Sequence, residues 1–199
     1  MNLHQIEQGT PEWFELRKLK MTASNAQAIA TGGKGLDTYV HTLIAESLSS
    51  AEKEHYTNAD IERGNELEEQ ARSLYSLETG NTVEQVGFVE VNQYSGCSPD
   101  GFVADGLIEI KCPNDLNHLK IMLYGEKAID SKYVWQVQCQ MLMTERKHCT
   151  LCFYNPNFEK SLIMFRIEAD PIKQEKLKAG LAKGEEMIKQ ILNTLNLCK

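Results

Sequence analysis

Between Ser98 and Pro113 the chain reads SPDGFVADGLIEIKCP, a stretch that predicts a β-hairpin. Its end, LIEIK at 107–111, is rich in β-branched residues and lies between a glycine and a proline, which is typical of a strand. The PDG and DG segments before it are typical of turns. We therefore expect a strand at 107–111 that is preceded by tight turns.

The predicted strand has two different faces. Because side chains alternate along a strand, Ile108 and Ile110 share one face, whereas Glu109 and Lys111 share the other. We expect the isoleucine face to be dry and the face with the carboxylate and the ammonium group to be reactive.

Asp100 precedes Glu109 by nine residues, with a turn at Asp105-Gly106 between them. A hairpin of this size can bring the two carboxylates together, where they repel each other unless a cation lies between them. Such oxygen ligands favour Mg²⁺ or Mn²⁺ over Zn²⁺. Pro99-Asp100 followed by Glu109-Ile110-Lys111 resembles the PD-(D/E)XK nuclease core. A surface hairpin with solvated charges is the alternative at this point.

The composition is that of one soluble globular domain, which we expect to span residues 1–199. Hydrophobic residues make up 42% of the chain and charged residues 25%, which is ordinary for such domains. No apolar run approaches the length of a membrane span, and the first residues lack the apolar segment of an export signal. We expect a cytoplasmic protein that has no membrane partner.

The net charge of −7 argues against binding to nucleic acid, because phosphate contacts need Lys and Arg. The charges are segregated, however. Residues 16–36 contain four basic residues and no acid, whereas residues 52–69 contain seven acids and two basic residues. One face of the protein can therefore be positive while the remaining surface is acidic.

Six cysteines are scattered among apolar residues, which is typical of reduced core residues in a cytosolic protein. Cys149 and Cys152 form one C-x-x-C motif, but a zinc site needs a second pair that this chain lacks. We expect both residues to lie in a buried strand at 148–154.

A helix predicted over residues 58–79 and ended by Gly80 carries Glu68. At roughly 100° per residue, Glu68 shares a stripe with small and apolar residues. A buried carboxylate must be paired, protonated or bound to a metal ion. Arg72, four residues later, is one partner, and the predicted Asp100–Glu109 site is the alternative.

The N-terminal region contains a helix start and two residues with alternative interpretations. A helix begins at Thr10-Pro11, with Thr as the N-cap and Pro in the first turn, and a second helix begins at 22–25. Arg17 and Ser24 are either a solvated arginine and a capping serine or parts of a phosphate pocket at a helix N-terminus.

Periodicity and turn residues predict the other elements. Tyr133, Gln136 and Gln140 share one face of a helix over 132–144 that Asp130 caps. The glycine-rich segment 32–35 lacks the P-loop spacing and is predicted to be a mobile loop. Also predicted are a polar loop over 49–57, helices over 38–48, 116–123 and 171–195, and strands over 82–91, 148–154 and 161–167.

Several motifs, taken in order, resemble the phage lambda exonuclease family of viral recombination nucleases within the PD-(D/E)XK superfamily. The motifs are Trp13…Leu16-Arg17…Thr22-Ala23-Ser24, Gly64-x-x-x-Glu68-x-x-Ala71-Arg72, Cys97-Ser98-Pro99-Asp100-Gly101, Glu109-Ile110-Lys111-Cys112-Pro113 and Tyr133-x-x-Gln136-Val137-Gln138. The resemblance implies a phage or prophage member of this family. It also implies a restriction-endonuclease-like α/β (α+β) core, in which helices flank a central mixed β-sheet.

The same resemblance implies a metal site. Asp100, Glu109 and the backbone carbonyl of Ile110 would bind Mg²⁺, and Glu68 would hold a second ion or its waters. Two Mg²⁺ ions can activate a nucleophile and stabilise the leaving oxygen, and Mn²⁺ could substitute for them.

Further roles are implied for residues around the metal site. Lys111 would orient or help to deprotonate the attacking water and stabilise the charged phosphorane. Gln136, with Tyr133 near it, would support Lys111.

A binding site for the DNA end is implied as well. Arg17, Ser24 and Ser98 match the family's 5′-phosphate pocket. Trp13 and Ile61 match positions near the DNA end, where an apolar side chain helps to separate the strands.

The implied reaction is 5′→3′ digestion of one strand of double-stranded DNA from a 5′-phosphorylated end, which releases mononucleotides and leaves a 3′ single strand. The family acts as a homotrimer ring around DNA and passes this strand to a phage single-strand annealing protein, in the cytoplasm of an infected or lysogenic bacterium. Two alternatives are a structure-specific or restriction-type endonuclease with the same core and a non-catalytic DNA-end-binding module. The 5′-phosphate pocket argues against the first, and the intact site residues argue against the second.

Overall fold

The computed structural model describes residues 1–50 and 59–197, with side chains described for 1–50 and 66–197. The strands are β1 (Asn2–His4), β2 (Met21–Thr22), β3 (Phe88–Asn92), β4 (Ser95–Cys97), β5 (Gly101–Val103), β6 (Gly106–Lys111), β7 (His148–Tyr154) and β8 (Leu162–Glu168). The helices are α1 (Pro11–Arg17), α2 (Ala26–Thr31), α3 (Lys34–Leu48), α4 (Ala59–Thr79), α5 (Asp115–Tyr124), α6 (Ser131–Thr144) and α7 (Pro171–Thr194), with 3₁₀ turns at Ala23–Asn25 and Gly125–Ala128. None of the helices within these ranges is both long enough and apolar enough to span a membrane.

The strands form two four-stranded mixed sheets. One has the order β1-β3-β4-β2 and the other the order β5-β6-β7-β8. Strands β6 and β7 are parallel, so the chain must cross over between them, and α5 and α6 form that crossover. Mixed sheets flanked by helices confirm the predicted α/β class, although the strands are divided between two sheets instead of forming one central sheet.

Strand β6 lies between two hydrophobic clusters. Ile108 and Ile110 pack with Leu67 and Ala71 of α4 in the smaller cluster, which makes this face dry as predicted. Leu107 belongs to the larger cluster, to which α2, α3, α6 and α7 contribute. Burial of each isoleucine stabilises the fold by roughly 1.5–3 kcal/mol.

Capping residues set several helix boundaries where the sequence predicts them. The Thr10 side chain accepts a hydrogen bond from the Trp13 amide at the start of α1. Asp130 accepts one from the Lys132 amide at the start of α6. Gly80 follows α4 with a φ of +71°, a left-handed conformation that glycine adopts at helix ends.

The loop predicted at 32–35 is present only at residues 32–33, because Lys34 and Gly35 are helical. Gly32 ends α2 with a φ of +62°, and α3 begins at Lys34, earlier than the predicted start at residue 38. Glycine adopts a left-handed conformation at little cost, so the chain passes from one helix to the next within two residues.

Three other boundaries differ from the prediction. Thr22 lies in β2, paired with Gly96, and a 3₁₀ turn separates it from α2. The predicted strand over 82–91 becomes regular only at Phe88, although Glu84 makes an isolated bridge earlier. Leu195, the last residue of the helix predicted over 171–195, lies beyond the end of α7 and is 48% exposed. The predicted loop over 49–57 falls mostly outside the described residues.

Cys149 and Cys152 are both buried in β7, as predicted, but they belong to different hydrophobic clusters. A spacing of three residues directs two side chains to opposite faces of a strand. The pair therefore cannot share one metal ion. Burial raises the pKa of both thiols, which favours their protonated forms.

Candidate active site

The antiparallel pairing of β5 with β6 brings Asp100 beside Glu109. Asp100 Oδ2 accepts a hydrogen bond from the Ile110 amide at 2.6 Å. Burial raises the pKa of Asp100 well above its usual range, and the charges of Glu109 and Glu68 raise it further. The repulsion between carboxylates that the hairpin predicts is therefore present at this site.

Glu109 is the most strongly bonded carboxylate of the site. Its side chain is only 2% exposed. Oxygen Oε1 accepts hydrogen bonds from Lys111 Nζ at 2.6 Å and from Gln136 Nε2 at 2.5 Å. Oxygen Oε2 accepts one from Gln140 Nε2 at 2.7 Å. Strand β6 thus supplies the carboxylate, and helix α6 supplies two of its three donors.

Lys111 is held as a cation by its neighbours. Burial alone would lower its pKa, but the charges of Glu109 and Asp100 and the hydrogen bond to Glu109 outweigh burial, and the net effect raises the pKa. Its Nζ lies 5.1 Å from the centre of the Tyr133 ring, a distance at which a ring face attracts a cation. Lys111 is therefore a hydrogen-bond donor in this arrangement.

Glu68 is paired with Arg72 and also lies near the Asp100–Glu109 site, the two alternatives that the sequence left open. It forms an ion pair with Arg72 one turn further along α4. Burial raises the pKa of Glu68, Arg72 lowers it, and Glu109 raises it again. Glu68 is therefore both paired within its helix and close enough to the carboxylate of β6 to be repelled by it.

The three acids Glu68, Asp100 and Glu109 are hereafter the carboxylate cluster. Within the described residues, no three His, Cys, Asp or Glu side chains are arranged closely enough to hold a metal ion. The donor chemistry nevertheless fits a hard divalent cation, because the cluster presents only carboxylate oxygens. Burial and the neighbouring carboxylates raise the pKa of Asp100 and of Glu68, and a bound cation would favour their charged forms. Two-ion binding, and the role of the Ile110 carbonyl, stay predictions.

A second polar group, the anchor cluster, consists of Trp13, Arg17 and Ser98. Trp13 Nε1 donates to Ser98 Oγ at 2.9 Å, and Arg17 Nη1 donates to the same oxygen at 3.4 Å. The Arg17 guanidinium lies 4.0 Å from the centre of the Trp13 ring. Burial lowers the pKa of Arg17, but a guanidinium stays charged in proteins. Ser98, which accepts from both Trp13 and Arg17, is two residues before Asp100 and so links the anchor cluster to the carboxylate cluster along the chain.

The structure describes the residues of the predicted DNA-end site to different extents, and Ser24 is not part of the anchor cluster. Ser24 is exposed in the 3₁₀ turn that follows β2, and it is the neighbouring Thr22 whose hydroxyl accepts a 3.5 Å hydrogen bond from Arg17. The Ile61 side chain lies outside the described residues. A role of Trp13 in strand separation stays a prediction, and its half-buried indole is engaged in the anchor cluster.

Gln140 is a site residue that the sequence motifs do not identify, although it donates directly to Glu109. The signal was present, because Gln136 and Gln140 are four residues apart and therefore share a helix face. Hydrogen-bond partners separate these two from the third glutamine of α6, because Gln138 is buried as well but bonds to the backbone of Glu168 and Asp170.

A model of YqaJ-like viral recombinase domains matches residues 12–147 of the chain. The crystal structure of an alkaline exonuclease from Laribacter hongkongensis is similar, with 34% sequence identity, a TM-score of 0.79, and coverage of 94% of this chain and 98% of that chain. The same exonuclease has been crystallised in complex with dAMP. A phage-related exonuclease from Haemophilus somnus 129PT shares the fold, at 17% identity and a TM-score of 0.70 over 91% of this chain and 98% of that chain. Among curated proteins, none matches this sequence.

Proposed function

This chain belongs to the family of YqaJ-like viral recombinase domains, and we propose that it is a Mg²⁺-dependent 5′→3′ exonuclease for linear double-stranded DNA. It digests one strand from a 5′-phosphorylated end, releases mononucleotides and leaves a 3′ single strand for recombination by annealing. The similar exonuclease from Laribacter hongkongensis binds dAMP, which is a deoxynucleoside monophosphate of the kind that this reaction releases.

One observation carries the proposal: the short segment between β4 and β5 contacts a half-buried guanidinium through Ser98 and contributes Asp100 to the carboxylate–lysine site. Ser98 belongs to the anchor cluster, and Asp100 belongs to the carboxylate cluster. We infer that a terminal phosphate bound at Arg17 would lie near the acids that act on a phosphodiester, because Ser98 and Asp100 are only two residues apart. This arrangement suits removal of residues from an end better than cutting within a strand.

Lys111 stabilises charge in this mechanism. Its raised pKa favours donation of hydrogen bonds over acceptance of a proton from water. Lys111 Nζ can therefore orient the attacking water and bind the negative charge that develops on the phosphoryl oxygens. Gln136 holds Glu109 Oε1 from the other side, which keeps the shared oxygen directed towards Lys111.

Asp100, Glu109 and Glu68 are the residues that would hold Mg²⁺, or Mn²⁺ in its place. When bound, the ions supply Lewis-acid activation of water and stabilisation of the leaving oxygen. The carboxylate cluster provides the negative charge, and Arg72 keeps Glu68 in place through their ion pair. A cation between the acids would reduce their mutual repulsion, and this reduction favours cation binding.

We further propose a homotrimer ring that passes the 3′ strand to a single-strand annealing protein. Helix α5 follows β6 directly and exposes a set of large apolar side chains, Leu116, Leu119, Met122, Leu123 and Tyr124. Exposed apolar surfaces of this kind are typical of protein contacts. Light scattering in solution tests the trimer, and a monomer at all concentrations contradicts it.

Nuclease assays with Mg²⁺ test the proposed reaction. The substrates are linear duplexes with 5′-phosphate or 5′-hydroxyl ends and covalently closed circles. We expect rapid digestion of the phosphorylated duplex, slow digestion of the hydroxyl form and no cutting of circles. Lys111→Ala should abolish activity, whereas Lys132→Ala, which removes an exposed lysine beside the same Tyr133 ring, should not.

Each alternative predicts a different result in these assays. Cutting of closed circles identifies an endonuclease with the same core. Binding of DNA ends without cleavage of any substrate identifies a non-catalytic module. An Arg17→Lys variant separates the roles of the two clusters, because lysine keeps the charge but lacks the planar fork of guanidinium. It should reduce the preference for 5′-phosphate while leaving slow digestion of hydroxyl ends.

A further inference from the structure

We propose that Gln140 is a positioning residue that holds the second oxygen of Glu109 and so sets the orientation of the carboxylate in the reaction. This inference rests on the proposed nuclease function and adds a residue to its site. Gln140 does not act on DNA itself; it acts through Glu109.

The register of α6 places two amides against one carboxylate. Gln136 and Gln140 are separated by one helical turn, and both side chains point towards β6. Gln136 Nε2 donates to Oε1 of Glu109 at 2.5 Å, and Gln140 Nε2 donates to Oε2 at 2.7 Å. Each oxygen therefore has its own donor from the helix, and the plane of the carboxylate is held from both ends.

The amide of Gln140 is directed by Glu109 and by no other group among the described residues. Gln140 is 1% exposed, and its Oε1 has no hydrogen-bond partner within the described part of the chain. A buried acceptor without a partner costs free energy. Reversal of the amide would bring its oxygen against a carboxylate oxygen, which is less favourable still. Oε1 of Gln140 therefore stays without a hydrogen bond while Nε2 donates to Glu109.

Gln138 shows what a structural glutamine looks like on the same helix. It is also 1% exposed, but both ends of its amide bond to backbone groups. Its Nε2 donates to the Glu168 carbonyl at 2.7 Å, and its Oε1 accepts from the Asp170 amide at 2.8 Å. Gln138 therefore joins α6 to the segment between β8 and α7, whereas Gln140 bonds to the carboxylate of Glu109.

Loss of the Gln140 donor leaves Oε2 of Glu109 without its hydrogen bond, so that only the donors on Oε1 hold the carboxylate against rotation about its last side-chain bond. Oxygen Oε1 is shared with Lys111 Nζ at 2.6 Å, so rotation of the carboxylate also moves the ammonium group. Partners that orient ligating carboxylates typically contribute about 10–100-fold to metal affinity or activity. We expect an effect of this size from Gln140.

The test compares Gln140→Met with Gln138→Met in the full chain. Methionine is close to glutamine in size but has no amide. For each protein we would measure kcat and KM on 5′-phosphorylated linear duplex with Mg²⁺, the affinity for Mn²⁺ by calorimetry without DNA, and the thermal midpoint. Gln140→Met should lower kcat and Mn²⁺ affinity by about 10–100-fold with KM for DNA unchanged. Gln138→Met should lower only the thermal midpoint.

Wild-type kcat and Mn²⁺ affinity in Gln140→Met, with only a lower thermal midpoint, would overturn the inference. If Gln140→Met does not fold, Gln140→Asn keeps an amide that is one methylene too short to reach Glu109, and the same criteria apply. A wild-type protein that binds Mn²⁺ but digests no DNA contradicts the proposed exonuclease, while the Mn²⁺ affinities still decide the role of Gln140. A wild-type protein that neither binds Mn²⁺ nor digests DNA overturns both.

Discussion

The two faces of β6 are both packed against a helix, yet burial has opposite consequences on them. Ile108 and Ile110 face the apolar side of α4, where burial stabilises the fold. Glu109 and Lys111 face α6, where burial removes charged groups from water and must be compensated by hydrogen bonds. Burial of an ion pair often stabilises a protein less than burial of apolar residues of the same volume. The polar face is therefore best explained by chemistry, and the apolar face by stability.

The same difference appears in the helices that cover the strand. Helix α4 presents Leu67 and Ala71 to the isoleucines, whereas α6 presents two glutamine amides to the carboxylate. Substitutions on the two faces should consequently separate activity from stability.

The largest expected effect is loss of activity in Glu109→Gln. The substitution keeps the shape of the side chain but removes the charge that Lys111 and a divalent cation need. We expect the rate of DNA digestion to fall by about 10³-fold or more in a protein that remains folded by circular dichroism. Glu84→Gln, at an exposed position, is the control and should keep its activity. An active Glu109→Gln enzyme would break the distinction between the faces.

A smaller effect, on stability, is expected from Ile108→Ala on the apolar face. Ile108 is fully buried, and removal of such side chains costs about 2–5 kcal/mol because a cavity remains. Urea denaturation measures this loss. Activity per folded molecule should stay near that of the unmodified protein. A fall in kcat comparable to that of Glu109→Gln would show that the two faces are not independent.

The smallest effect concerns the stability of the metal-free protein and its dependence on pH. Burial, Glu109 and Glu68 raise the pKa of Asp100 in the folded state above its unfolded value of about 3.9. The folded state then binds a proton more tightly than the unfolded state, so stability falls as pH rises from about 4 to the folded pKa and is constant above it.

Asp100→Asn removes this ionisation and should be inactive. In EDTA at neutral pH we expect its thermal midpoint to exceed that of the unmodified protein by a few degrees, roughly the shift that corresponds to 1 kcal/mol. Thermal melts in EDTA over a series of pH values measure both proteins. An equal or lower midpoint for Asp100→Asn would mean that the carboxylate repulsion is already relieved without a cation.

Local patterns in the sequence were sufficient to predict a large part of the fold. The alternation in LIEIK identified β6 and its two faces, and the caps at Thr10 and Asp130 marked the starts of α1 and α6. The hairpin spacing also predicted that Asp100 lies beside Glu109. Each of these features depends on residues close together in the chain, so short-range sterics and hydrogen bonding determine them.

The loop predicted at 32–35 was too long, for a reason that is only partly local. Four small or polar residues were compatible with a loop, but Gly32 alone provides the left-handed turn. The packing of α2 and α3 against α7 then favours continuing the helix from Lys34. Tertiary contact outweighed intrinsic propensity there.

The sequence by itself determined which residue types are available: a strand with Glu109 and Lys111, a helix with three glutamines, and an arginine near the N-terminus. Only the tertiary structure decided which of them meet. Trp13 and Ser98 are 85 positions apart and share a hydrogen bond, and Gln140 rather than Gln138 reaches Glu109. The physical reason is that burial and hydrogen-bond satisfaction are properties of the packed chain, so identical side chains on one helix acquire different partners according to the surface that each one faces.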